Sequence, residues 1–132
     1  MQSVKTFIVE DSPLIRDGLI ETLEEFTAVQ VVGTAADEAS AVRWLTDDGR
    51  DCDLMIIDIF LKGGSGLGVL KLVRQAGLRG KRVVLTNYAT DDIRRTCEAL
   101  GADRVFDKSQ ELEELIAYCT QLAGDTRPGA LG

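Results

Sequence analysis

The stretch Leu54-Met55-Ile56-Ile57-Asp58, followed shortly by Gly63-Gly64-Ser65-Gly66, decides how this chain folds. A short apolar run bounded by polar and glycine residues suits a strand buried on both faces. Asp58 then stands at the C-terminal tip of that strand, and the glycines read as a flexible loop after it. In an open parallel sheet, ligands bind beside such tips.

Working outward, similar runs lie near Thr6–Val9, Gln30–Gly33, Arg82–Thr86 and Arg104–Phe106. Between them the period changes to that of helices. Ile15, Leu19, Leu23 and Phe26 share one face at steps of three or four residues, as do Val42 and Leu45, and Leu70, Val73 and Ala76. Ile93, Cys97 and Leu100 form a fourth face, and Leu112, Leu115, Ile116 and Cys119 a fifth. Start and stop signals frame these segments: Pro13 in a first turn, Asp37, Thr90 or Asp91, and Ser109 as caps, Gly77 and Gly101 as stops. Strand and helix alternating five times predict an α/β fold with a parallel sheet covered on both faces by right-handed crossovers.

The chain has 132 residues and is 45% hydrophobic, enough for one domain with one core. No apolar stretch reaches the roughly 18 residues of a membrane span, and the N-terminus lacks the apolar centre of a signal peptide. Three cysteines form no C-x-x-C pair, and histidine is absent, so disulfide, zinc and haem frameworks are not expected. A soluble cytoplasmic protein is expected. The net charge of -7 repels phosphate backbones, so nucleic-acid binding is not expected, and without an apolar span neither is a membrane partner.

Polar residues end four of the apolar runs: Glu10-Asp11, Asp58, Thr86-Asn87 and Asp107-Lys108. In a parallel sheet these ends share one edge. Carboxylates gathered there repel one another unless a cation joins them, and a hard oxygen donor set suits Mg²⁺. Lys108 adds a second positive charge, and the site then suits a phosphoryl group. Singly, each residue has a plainer reading: Asp11 as a turn former, Thr86 as a strand residue, Lys108 as a surface ion pair. Jointly, their complementary chemistry points to one site.

Val9-Glu10-Asp11-Ser12, Ile56-Ile57-Asp58, Gly66, Val84-Leu85-Thr86 and Asp107-Lys108-Ser109 carry a family resemblance. Over roughly residues 4–122, the chain resembles the receiver domain of bacterial two-component response regulators. The resemblance implies a doubly wound (βα)5 fold with flavodoxin-like strand order 2-1-3-4-5. It implies a receiver domain over 1–124 and a flexible tail or linker start over 125–132. Asp58 would accept a phosphoryl group from a sensor histidine kinase, a phosphotransfer protein or a small phosphodonor. Glu10, Asp11, Asp58 and the backbone carbonyl of Phe60 would hold Mg²⁺, while Thr86 and Lys108 would contact the phosphoryl oxygens. The domain would act as a phosphoacceptor rather than a turnover enzyme. A downstream protein or a second copy would meet the face made by the fourth helix, the fifth strand and the fifth helix.

The chain departs from that family's pattern in places. Val105 stands where many receivers carry an aromatic switch residue, and the neighbouring Phe106 is expected on the opposite face. Ser109 replaces the frequent proline after the lysine, so no cis peptide is expected there. Asn87 replaces the usual small residue after the threonine. Phe60 and Tyr88, each two residues beyond a site residue, are expected to flank the entrance and hinder hydrolysing water. Competing readings are a receiver fold that is never phosphorylated, an Asp-nucleophile phosphatase and a flavin binder. The phosphatase lacks a second acid at Phe60, and Glu10-Asp11 would repel a flavin phosphate.

Overall fold

The computed structural model describes residues 3–47 and 50–125. Its elements are β1 (Val4–Val9), α1 (Pro13–Phe26), β2 (Val29–Ala35), α2 (Glu38–Thr46), β3 (Leu54–Ile57), α3 (Gly66–Gln75), β4 (Lys81–Thr86), α4 (Asp91–Ala99), β5 (Arg104–Asp107) and α5 (Leu112–Asp125). All strand pairs are parallel and the sheet order is β2-β1-β3-β4-β5. The expected tail at 125–132, apart from Asp125 at the end of α5, lies outside the described residues.

The buried positions of β1, β3, β4 and β5 alternate between two cores, and that is why their sequences show no polar alternation, whereas the edge strand β2 exposes Gln30 and Thr34. Phe7, Met55, Ile57, Val84 and Val105 pack on one face with residues of α2, α3 and α4. Ile8, Ile56, Val83, Leu85 and Phe106 pack on the other with α1 and α5. The central β3 is buried at every position. Full burial of one such aliphatic side chain contributes about 1.5–3 kcal/mol, so an acid at Ile56 or Ile57 would break the sheet centre. Val105 and Phe106 face opposite cores, as their alternation predicts.

The helices start where short polar side chains accept their first free N–H groups. Ser12 caps α1 ahead of Pro13, Asp37 caps α2, Ser65 caps α3 and Thr90 caps α4. Ser109 is not the cap expected for α5, which begins at Leu112. The Asp107 carboxylate takes the Ser109 N–H at 2.8 Å and its hydroxyl at 2.7 Å, turning the chain before the helix can start. Of the α1 residues that share one face, Leu19 and Leu23 are buried, whereas Ile15 and Phe26, nearer the helix ends, are exposed. Among the described residues no helix is long and apolar enough to cross a membrane, and no peptide bond is cis.

Candidate functional site

The registers bring the C-terminal strand ends together. Val9 pairs with Ile57, Ile57 with Val84, and Thr86 with Asp107. Asp58 is the first residue beyond β3, and its N–H still donates to Val9 O at 3.0 Å, continuing the ladder by one bond. Gly66, at the start of α3, packs directly on this backbone. A Cβ there would collide with Asp58 O and come within 2.7 Å of Ile59 Cα.

Glu10 and Asp58 are buried, Asp11 is half-buried, and Thr86 is fully buried. One oxygen from each of Glu10, Asp11 and Asp58 lies within 4.8 Å of the others. Lys108 reaches over from the end of β5, its Nζ 2.5 Å from Glu10 Oε1 and 3.0 Å from Asp58 Oδ2. Three of the four remaining oxygens meet backbone donors. Ser12 N–H donates to Glu10 Oε2 at 3.0 Å, Lys62 N–H to Asp11 Oδ2 at 2.8 Å, and Phe60 N–H to Asp58 Oδ1 at 3.2 Å.

Three carboxylates against one ammonium leave the crevice net negative, and all the donors at its centre are hard oxygens. Such a set fits a small divalent cation better than a second organic cation. Lys108 is itself shifted. Burial pushes its ammonium down, but hydrogen bonds to Glu10 and Asp58, and their charges, push it up by more, so it sits above an ordinary lysine.

Thr86 and Lys108 are tied together through the backbone, since Lys108 N–H donates to Thr86 O at 2.9 Å. Thr86 Oγ1 accepts the Tyr88 N–H at 3.2 Å, which leaves the hydroxyl proton to be donated elsewhere. Asn87 is exposed beside it. The Phe60 and Tyr88 rings meet edge to face, with centroids 5.3 Å apart and planes at 83°.

The Gly-rich loop differs from its reading as a flexible segment. Phe60 and Ser65 form an antiparallel bridge, and Ile59 O accepts both the Gly66 N–H at 3.1 Å and the Ser65 hydroxyl at 3.3 Å. The Ser65 cap on α3 escaped the sequence reading, although a serine directly before a helical run was the signal for it.

A family model described as the response regulator receiver domain matches residues 6–120. Among curated relatives, the nitrate/nitrite response regulator protein NarP of Escherichia coli K12 is 34% identical over 113 residues, which is 85% of this chain and 51% of NarP. Among solved structures, the receiver domain of the Francisella response regulator 1452 superposes with a TM-score of 0.82 at 19% identity, covering 95% of this chain and all of that one. A DNA-binding response regulator of the LuxR family from Staphylococcus aureus superposes at 0.80 with 18% identity, covering 90% of this chain and 98% of that one. The chain thus spans about half the length of the curated relatives it matches.

These likenesses correct the expected partners. Net charge argued against nucleic acid, yet a fold neighbour is itself a DNA-binding response regulator. The charge of -7 belongs to these 132 residues, and it does not bear on what a protein twice as long would touch.

Proposed function

Since this chain belongs to the response regulator receiver domain family, matched over residues 6–120, we propose that Asp58 accepts a phosphoryl group in two-component signalling in the cytoplasm. The donor is a histidine kinase or a small phosphodonor. Glu10, Asp11, Asp58 and the Phe60 backbone carbonyl hold Mg²⁺, and Thr86 and Lys108 contact the phosphoryl oxygens. The observation that carries this reading is the Lys108 ammonium, seated between the buried Glu10 and Asp58 carboxylates within a three-acid cluster.

A carboxylate is a weak nucleophile toward an anionic phosphoryl group, so the transfer depends on positioning and charge compensation. One Asp58 oxygen attacks phosphorus in line while the bond to the donor's leaving atom breaks. Bound Mg²⁺ would supply positive charge at the transferred group. Lys108 supplies the chain's own positive charge, moving from Glu10 toward the new phosphoryl oxygens. The Thr86 hydroxyl donates its free proton to one of them. The aspartyl phosphate formed is a stoichiometric product, so the domain is a phosphoacceptor and not a turnover enzyme. Added negative charge at Asp58 pulls Lys108 and Thr86, and through them β5 and the β4–α4 loop, toward a second arrangement of the surface.

Intact mass after treatment with acetyl phosphate and Mg²⁺ tests this. A single phosphoryl adduct, absent in Asp58→Asn, is the expected result. No adduct on the wild-type chain overturns the reading.

A further inference from the structure

The Gly63-Gly64-Ser65-Gly66-Leu67-Gly68 segment carries more glycine than its turn needs. Only Gly64 in it has a positive φ, +82°. The other reason for its glycines lies in α2. A Cβ on Gly64 would lie 2.5 Å from Glu38 Cβ, and a Cβ on Gly68 would fall inside the Glu38 carboxylate. A Cβ on Gly63 would stand 3.1 Å from Asp37 Cβ. The first turn of α2 is therefore set into the segment that follows Asp58, and side chains are absent where it fits.

Glu38 fastens that contact from both ends. Its N–H donates to Gly63 O at 3.0 Å, and its Oε1 accepts the Ser65 N–H at 2.8 Å. The carboxylate is half-buried beside the first turn of α3, where the helix dipole favours negative charge. Ser65 is in turn bridged to Phe60 and bonded to Ile59 O, and the Phe60 N–H bonds Asp58 Oδ1. A continuous run of bonds thus leads from Glu38 to the Asp58 carboxylate.

We infer that Glu38 is a positioning residue for Asp58, clamping residues 63–65 so that the Phe60 peptide stays in place beside the carboxylate. The inference rests on the reading of Asp58 as the phosphoacceptor. Glu38 touches no reacting atom; its effect passes through Ser65 and Phe60. Charge-assisted hydrogen bonds to a backbone N–H are stronger than neutral ones, so the carboxylate suits this task.

The test compares Glu38→Ala and Glu38→Gln with wild type in three measurements: amide exchange at Phe60 and Ser65, Mg²⁺ titration, and adduct formation with acetyl phosphate. Glu38→Ala is expected to exchange both amides faster. It should also need about 5- to 10-fold more Mg²⁺ for half-saturation, less than the full worth of one charge-assisted bond because Glu38 acts on the site only through Ser65 and Phe60. Glu38→Gln keeps an oxygen for Ser65 N–H but not the charge and is expected to recover part of the loss, while its unfolding temperature stays near that of wild type. Unchanged Phe60 exchange and Mg²⁺ half-saturation in Glu38→Ala, with a wild-type chain that does form the adduct, overturn the clamp alone. A wild-type chain without an adduct overturns the Asp58 reading, and the clamp's purpose with it.

Discussion

The Lys108 ammonium lies 3.0 Å from Asp58 Oδ2, and Asp58 takes this bond on the oxygen that Phe60 N–H does not use. Both side chains are largely closed to solvent, at 11% and 8% exposure. The lysine thus occupies the charge balance that a metal ion would otherwise supply. Its raised pKa keeps it protonated below about 10.5, the ordinary lysine value, and its contribution to stability is lost only as pH rises through the higher folded value.

Lys108→Met removes that competitor. Mg²⁺ is expected to bind about tenfold tighter, because a unit charge a few ångströms away is worth more than 1.4 kcal/mol even at an effective dielectric constant near 20. Phosphoryl acceptance should nevertheless slow, since the cation that follows the phosphoryl oxygens is gone. Calorimetric Mg²⁺ titration and adduct time courses check both halves. Weaker Mg²⁺ binding with an unchanged rate would contradict this account of Lys108.

Gly66 and Gly18 make a matched pair of alanine substitutions. A Cβ at Gly66 collides with Asp58 O, and overpacking of this kind costs about 1–3 kcal/mol. Gly66→Ala should therefore lower the denaturant midpoint and slow adduct formation together. Gly18 lies in the exposed middle of α1 with nothing within 4 Å of a Cβ. Gly18→Ala should stabilise by about 0.5–1 kcal/mol through helix propensity and leave the adduct rate unchanged.

The strand ends were legible because the chain writes them locally. An apolar run followed by Asp58, or by Glu10-Asp11, needs no long-range information to place the acid at an edge. Sheet order converts those local ends into one crevice. The β3–α3 loop was misread for the opposite reason. Its glycines answer to Glu38 and Asp37, some 25 residues earlier, and composition alone suggested flexibility. Ser109 was misread because its N–H and its hydroxyl both donate to the Asp107 carboxylate, two residues before it, in a turn that ends ahead of the helix. Net charge is a poor guide to partners because it sums over all 132 residues and does not say where on the surface the charges lie.

Arg94 and Glu111 join α4 to the start of α5 across β5. The guanidinium donates to Ala89 O, Val105 O and Glu111 Oε1 at 3.0, 2.7 and 2.6 Å, and the same Glu111 oxygen accepts the Asp107 N–H at 2.9 Å. The hydrogen bond from Arg94, then that from Asp107 N–H, hold the Glu111 carboxyl below its ordinary value of 4.5. A depressed carboxylate stabilises the fold above its unfolded value, and this stability is lost as pH falls through the folded one. Both side chains are about a third exposed, so solvent screening limits the pair to about 0.5–1 kcal/mol. Glu111→Gln should be less stable than wild type by that amount at pH 7, with the gap closing below about pH 4.5 as Glu111 protonates. Urea unfolding at several pH values measures the gap; a difference constant from pH 7 to 3 would show that the charge plays no part.

Phe60 and Tyr88 are 50% and 63% exposed, yet their rings meet edge to face. They come from the segments directly after Asp58 and after Thr86. An aromatic pair adds about 0.5–1.5 kcal/mol beyond area burial. If Asp58 is the phosphoacceptor, the pair is proposed to hold these two loops together across the path of water to the aspartyl phosphate. Phe60→Asn and Tyr88→Glu each open that path and offer a polar group that can orient water. Lowering the hydrolysis barrier by about 1 kcal/mol shortens the phosphoryl lifetime about fivefold. If the rings only cover loop surface, both variants lose a few degrees of thermal stability and keep the wild-type lifetime. Phosphate release followed after removal of the donor separates the two cases, and a lifetime no shorter in either variant rules the shield out.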